Sequence, residues 1–148
     1  MPRAIAISLL ASLFAAPTSF AAALDADGAV IGRLLHGMFD KPNAVLTVEP
    51  IVVASDHAIA DWTQGPMGGR ALLRRKPEGW TLILCAGDGI RSKQALAKAG
   101  VPLADAQQLE DDLLAAEAKL PPEQMAAFSR FEGLVRMDQE GADGKSHH

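Results

Sequence analysis

The chain has one cysteine, Cys85, placed where a strand-like run, Trp80-Thr81-Leu82-Ile83-Leu84-Cys85, gives way to Gly87-Asp88-Gly89. A lone cysteine is either a small buried hydrophobe or a thiolate used as ligand or nucleophile. The second reading needs a lowered pKa, as beside a helix N-terminus, and Asp88 works against it. Met67 lies in Gln64-Gly65-Pro66-Met67-Gly68-Gly69, at the tip of a glycine-rich loop. It either folds onto the sheet or offers a thioether, a soft donor suited to Cu(I). Cys85 and Met67 are therefore the candidate metal ligands, with copper as the candidate ion. His36 is a third candidate. It cannot share an ion with Met38 on an intact helix, because residues two apart point ~200° away from each other. His36 falls on a polar face with Gly32, Arg33 and Asp40, and Met38 on the apolar stripe. His57 follows Asp56 in a predicted turn and is expected to be exposed. His147 and His148 end the chain, where adjacent histidines bind metals loosely. None of the four has the His-x-x-x-His spacing of a helical metal site.

No other motif in the sequence points to a specific chemistry. Gly-x-Ser-x-Gly, a phosphate-binding glycine loop and Cys-x-x-Cys are all missing from the sequence. With no tyrosine and 5% aromatic residues, the chain lacks the material for a stacked sugar groove. Glu110-Asp111-Asp112 reads as a solvated helix face. Arg70, Arg74, Arg75 and Lys76 read as strand residues that mostly point to solvent. No catalytic constellation stands out, so the chain is not expected to be an enzyme.

The chain ends set the compartment. Arg3 begins a short positive region, residues 5–16 are almost wholly apolar, and Ser19-Phe20-Ala21-Ala22-Ala23 supplies small residues for signal peptidase. Residues 1–23 are expected to be a signal peptide, cut after Ala21 or Ala23. Its apolar stretch is too short to span a membrane. Export to the periplasm follows as an expectation, with no membrane span in the mature form. Removing Arg3 leaves 13 basic against 18 acidic residues, a formal charge of −5. Such an acidic domain is a poor nucleic-acid binder, since phosphate affinity needs clustered Lys and Arg.

The remaining pattern predicts one α+β domain over residues 24–134 and a disordered polar tail over 135–148. Val30, Ile31, Leu34, Leu35 and Met38 recur at helical spacing, which predicts a helix over 25–39. Strands are predicted over 46–54, 58–63, 70–76 and 80–85. Pro50 marks the first as an edge strand or a bulged one, and the short turns make an antiparallel meander. Along the fourth strand, strict alternation puts Trp80, Leu82 and Leu84 on one side and Thr81, Ile83 and Cys85 on the other. Helices are predicted over 90–99, capped by Asp88 and closed by Gly100, then over 103–119, with Leu109, Leu113 and Leu114 as core, and over 122–131. This order gives helices segregated to one face of a four-stranded sheet. By analogy of architecture alone it is cystatin-like, or nuclear-transport-factor-like. In a simple meander the second-to-third turn and the end of the fourth strand share a sheet edge. Cys85 and Met67 are then expected one or two strand spacings apart, ~5 Å or twice that, with His57 at the opposite edge.

The motifs Phe39-Asp40-Lys41-Pro42, Leu46-Thr47-Val48-Glu49-Pro50-Ile51-Val52-Val53, Ala58-Ile59-Ala60-Asp61-Trp62-Thr63-Gln64-Gly65, Gly68-Gly69-Arg70-Ala71-Leu72-Leu73 and Leu84-Cys85-Ala86-Gly87-Asp88 resemble the bacterial copper uptake system-associated proteins. The likeness covers residues 27–133. It implies a periplasmic accessory encoded beside copper chaperones and transporters, and it implies no particular ligand set. The expected function is an accessory of copper uptake that binds Cu(I) weakly or docks to a periplasmic copper chaperone or transporter. The alternative is a small-molecule-binding or minor enzymatic domain, with a pocket between sheet and first helix lined by Leu35, Trp62, Leu73 and Cys85.

Overall fold

The structure, a computed structural model, describes residues 20–138. Most of the expected signal peptide, and residues 139–148 with His147 and His148, lie outside the described residues. Helix α1 (Phe20–Phe39) leads into strands β1 (Thr47–Ala54), β2 (His57–Gln64), β3 (Met67–Lys76) and β4 (Gly79–Ala86). Helices α2 (Lys93–Lys98), α3 (Leu103–Glu117) and α4 (Pro122–Phe128) follow, and then strand β5 (Leu134–Arg136). The sheet is antiparallel and its strand order is that of the chain, β1-β2-β3-β4-β5. The class is α+β, as expected, but the sheet has a fifth strand. β5 runs across residue 135, where the polar tail is expected to begin. It pairs Val135 with Cys85, and three residues are too short to show an alternating pattern. Among the described residues, no helix is long and apolar enough to cross a membrane.

The turns explain the meander. Gly65, at φ 56°, and Pro66 make a two-residue loop between β2 and β3, and a positive φ is what such tight loops require of their glycine. The strand therefore resumes at Met67, ahead of the predicted start at 70. At the other end, β1 is an edge strand and its register shifts between Val48 and Ile51. That irregularity brackets Pro50, which has no N–H to give the ladder.

Helices cover both faces of the sheet, not one. Ile31 and Leu35 of α1 pack on Ala58, Ala60, Ala71, Leu73 and Leu82. Leu96, Ala106, Leu109 and Leu113 of α2 and α3 pack on Val52, Ile59, Leu72 and Leu84 from the other side. Consecutive residues of β2 and β3 thus point into two cores, and Ala58-Ile59-Ala60 and Ala71-Leu72-Leu73 are apolar without alternation for that reason. The buried line of α1 runs Ile31-Leu35, with Phe39 partly buried behind it. Met38, expected in the core, is 48% exposed, and Leu114 of α3 is likewise exposed. Both sit one position off the line that actually faces the sheet.

Helix α2 starts later than predicted. Its cap is Ser92, whose Oγ accepts from the Ala95 amide at 3.2 Å. Asp88 instead opens a short 3₁₀ turn, Asp88–Ile90. Gly100 closes α2 at φ 98°, with the Val101 amide returning to the Leu96 carbonyl at 3.1 Å. One polar clamp fixes α1 against the strand ends. The Asp27 carboxylate takes two bonds from Arg75, at 2.8 and 2.7 Å, and one from the Trp80 indole at 3.1 Å. The Arg75 guanidinium also lies 4.4 Å over the Trp80 ring. These contacts hold the Asp27 carboxyl below its ordinary pKa.

Candidate functional site

Cys85 reaches its place through a bulge. β3 and β4 pair Leu72 with Leu84 but Leu73 with Leu82, so Ile83 is an extra residue on β4. A bulge resets the alternation of side chains. Leu84 stays on the α3 face, and Cys85 joins Trp80 and Leu82 on the α1 face. Strict alternation would have put Cys85 on the opposite side. The carbonyl of Ile83 then accepts the Met137 amide at 2.8 Å, which draws the chain beyond β5 along the bulge.

Beneath α1 this arrangement leaves a cleft of about 290 Å³. Leu35 and Phe39 of α1 form one wall, and Trp62, Ala71 and Cys85 of the sheet form the floor. Phe131, Val135 and Met137 close the far side. Trp62 and Phe131 meet edge to face with ring centres 5.9 Å apart. Gln64 is the single amide in the lining. Its Nε2 donates to the carbonyls of Phe39 and Ala44, at 2.8 and 2.7 Å, and so ties the α1–β1 connection to β2. Leu73, expected in this lining, lies deeper in the adjoining core. Cys85 itself is buried, and burial pushes its thiol up to about 11. The expected helix N-terminus beside it is missing, because α2 begins at Lys93.

The other sequence candidates lie elsewhere. Met67 starts β3 and is 45% exposed. Cys85 pairs with Ala71, four residues farther along that strand, so their backbones are ~13 Å apart. The two sulfurs are not brought together. His36 sits on the exposed side of α1, with Nδ1 3.0 Å from the Asp40 carboxylate. Asp40 also accepts the Leu46 amide at 2.9 Å, and that bond, ahead of His36, lowers its pKa. His57 is buried rather than exposed, because it opens β2 between Ala54 and Arg74. Desolvation and the neighbouring Arg74 lower its pKa.

A second cluster was not foreseen at all. Arg70, read as a solvent-facing basic residue, is completely buried on the α3 face with Asp61 and Glu117. Its Nε donates to Glu117 Oε1 at 2.8 Å, and its Nη1 donates to Asp88 Oδ1 at 3.0 Å. Arg91 donates to the second oxygen of Glu117 at 3.0 Å, and the Ser129 hydroxyl to Asp88 at 2.6 Å. Asp61 is directly opposite Arg70 in the hairpin, yet Arg70 Nε stands 3.7 Å from its carboxyl, too far for a hydrogen bond. Burial first, and the neighbouring Glu117 second, push Asp61 up to about 9. A protonated Asp61 removes a like-charge pair, and it gives a carboxyl otherwise without a partner a bond to Glu117. Two guanidinium groups then face two carboxylates. None of these residues lines the cleft, so the cluster reads as a clamp that joins α3, the Asp88 turn and the Ser129 segment to β3.

Among the described residues, no group of three or more His, Cys, Asp or Glu side chains is placed to hold a metal ion. Comparison of the chain with family models, curated proteins and solved structures finds no match.

Proposed function

We propose that the protein is an exported accessory of copper uptake that takes Cu(I) weakly at Cys85, or docks to a copper chaperone or transporter. The carrying observation is that the chain's only thiol and a thioether, Met137, line one apolar cleft. Val135 pairs with Cys85, and Met137 lies two residues on, so it is a diagonal neighbour of Cys85. Such neighbours have Cβ atoms up to ~7–8 Å apart, within reach of a long side chain. Cu(I) is satisfied by few, soft donors, and Met137 takes the role that spacing alone suggested for Met67. The resemblance to copper uptake system-associated proteins and the signal-like N-terminus support the same reading.

Titration of the purified protein with Cu(I) against a competing chelator tests it. The wild type should compete, Cys85→Ser should not, Met137→Leu should compete more weakly, and Met67→Leu should match the wild type. Binding replaces the thiol proton, so affinity should rise about tenfold per pH unit below the thiol pKa. A wild type that neither competes for Cu(I) nor associates with a purified copper chaperone would end the reading.

The cleft favours a second reading, a small-molecule-binding domain. Its volume is close to the lower end of ligand pockets, ~300 Å³, and it lies between first helix and sheet, the pocket position expected for a cystatin-like or nuclear-transport-factor-like architecture.

A further inference from the structure

We propose that the cleft binds an uncharged, two-ring aromatic molecule carrying one hydrogen-bond donor, which it gives to Gln64. The proposal rests on the small-molecule reading above and names the ligand's chemistry. Size comes first. An apolar cavity of about 150 Å³ holds one benzene ring, and the cleft measures about 290 Å³. Shape follows from the lining: Trp62 and Phe131 present ring surfaces already set edge to face. The thiol of Cys85 and the thioether of Met137 add polarisable contacts that favour aromatic partners.

Charge is excluded by the same walls. No residue of the lining is Asp, Glu, Lys, Arg or His, so an ionised ligand would lose its hydration without a counter-charge. The Cys85 thiol adds none, since burial keeps it protonated at neutral pH. The strongest side-chain acceptor in the lining is Gln64, beside two donors, the Trp62 indole and the weaker Cys85 thiol. Both hydrogens of the Gln64 amide nitrogen are committed to the Phe39 and Ala44 carbonyls. Those two bonds fix which end of the amide is nitrogen and leave Oε1 as an acceptor. The ligand must therefore bring the donor, as a phenol or an indole does.

The test uses metal-free protein and three probes at pH 7: 2-naphthol, naphthalene and 2-naphthoate. Calorimetry should show 2-naphthol binding about five- to tenfold more tightly than naphthalene, the worth of one hydrogen bond. 2-Naphthoate should bind at least about tenfold more weakly than 2-naphthol, for want of a counter-charge. The NMR signal of the Trp62 indole should move on titration while that of Trp80, bonded to Asp27 outside the cleft, stays. Val135→Trp, at an exposed position on the rim, should cut affinity for 2-naphthol about tenfold while circular dichroism stays native. Equal affinity for naphthol and naphthalene would overturn the donor requirement and leave the pocket. Failure of both to bind would overturn the pocket as well, and equal binding of naphthoate would overturn the neutrality of the site.

Discussion

The β2–β3 hairpin shows two opposite solutions on its two faces, built from neighbouring residues. Asp61 and Arg70 turn toward α3, where every charge is held by another. Trp62 and Ala71, the next residues on each strand, turn toward α1 and border a cleft. The difference lies in what each face can leave unfilled. A buried guanidinium without its carboxylates costs several kcal/mol, so the α3 face must be closed and in register. An apolar wall forfeits only dispersion contacts when space is left beside it, so the α1 face can keep a cavity. The charged face is the anchor, and the apolar face is the one free to bind.

The largest expected effect comes from breaking the anchor. Arg70→Met should destabilise the protein by about 3–5 kcal/mol, because Glu117 is left buried with Arg91 as its only cation and Asp88 loses a donor. Urea unfolding measures it. A loss under ~1 kcal/mol would mean that the cluster is wetter and looser than its geometry, and the contrast between faces would dissolve.

Next in size is the contact that brings α4 onto β3. A Cβ at Gly68 would lie 2.5 Å from the Ala127 carbonyl oxygen. Gly68→Ala should therefore cost about 1–3 kcal/mol, the usual cost of overpacking. Gly28, on α1, has nothing within 4 Å of such an atom. Gly28→Ala should stabilise α1 by about 0.5–1 kcal/mol, and thermal unfolding of the two variants should move in opposite directions.

These two glycines also show what could be read from the sequence. Gly65 to Gly69 looked like one loop, yet only Gly65 serves a turn, while Gly68 and Gly69 are strand residues kept small by Ala127 and Phe131. Close approach of a distant segment has no local signature. The same misplacement concealed the buried pairing of Asp61 with Arg70. A turn centred between Gly65 and Pro66 puts Asp61 opposite Arg70, whereas a turn reaching Gly69 does not. The α+β order, the first four strands, the irregularity at Pro50 and the Gly100 stop were legible, because each rests on local periodicity or turn chemistry. The two-faced sheet was also written there, in Ile51-Val52-Val53-Ala54 and Leu82-Ile83-Leu84, as runs without alternation. The cleft was foreseen in part, through Leu35, Trp62 and Cys85. Met137 was not, because its place depends on a strand of three residues and a bulge at Ile83.

A further effect separates the faces by pH. Folded Asp61 keeps its proton to about pH 9, while in the unfolded chain it titrates near the ordinary aspartate value of 3.8. The unfolded state therefore releases a proton that the native state holds, and stability contributed by this group falls as pH rises between those values. Asp61→Asn has no proton to lose, and its amide can still donate to Glu117. The gap between variant and wild type should therefore move in the variant's favour as pH rises from 5 to 9. Parallel urea curves at the two pH values would show that Asp61 is ionised in the fold.

The smallest effect on stability belongs to the cleft, and it is read best by chemistry. Cys85→Ser should cost only about 1 kcal/mol, because the side chain borders a cavity and does not fill a close-packed core. The thiol's reactivity is more telling. Burial raises its pKa from 9.0 to about 11, and only the thiolate attacks an alkylating reagent. Iodoacetamide should therefore modify the native protein slowly at pH 7, and the rate should climb about tenfold per pH unit through pH 10 without levelling off. In urea the same cysteine should level off near pH 9, the ordinary thiol value. A plateau near pH 9 in the native protein would place Cys85 in water, and the apolar face would then be open rather than enclosed. Cu(I) sharpens the result: if Cys85 holds it, excess Cu(I) should slow alkylation of the native protein, the more so as pH rises, and Met137→Leu should restore part of the rate.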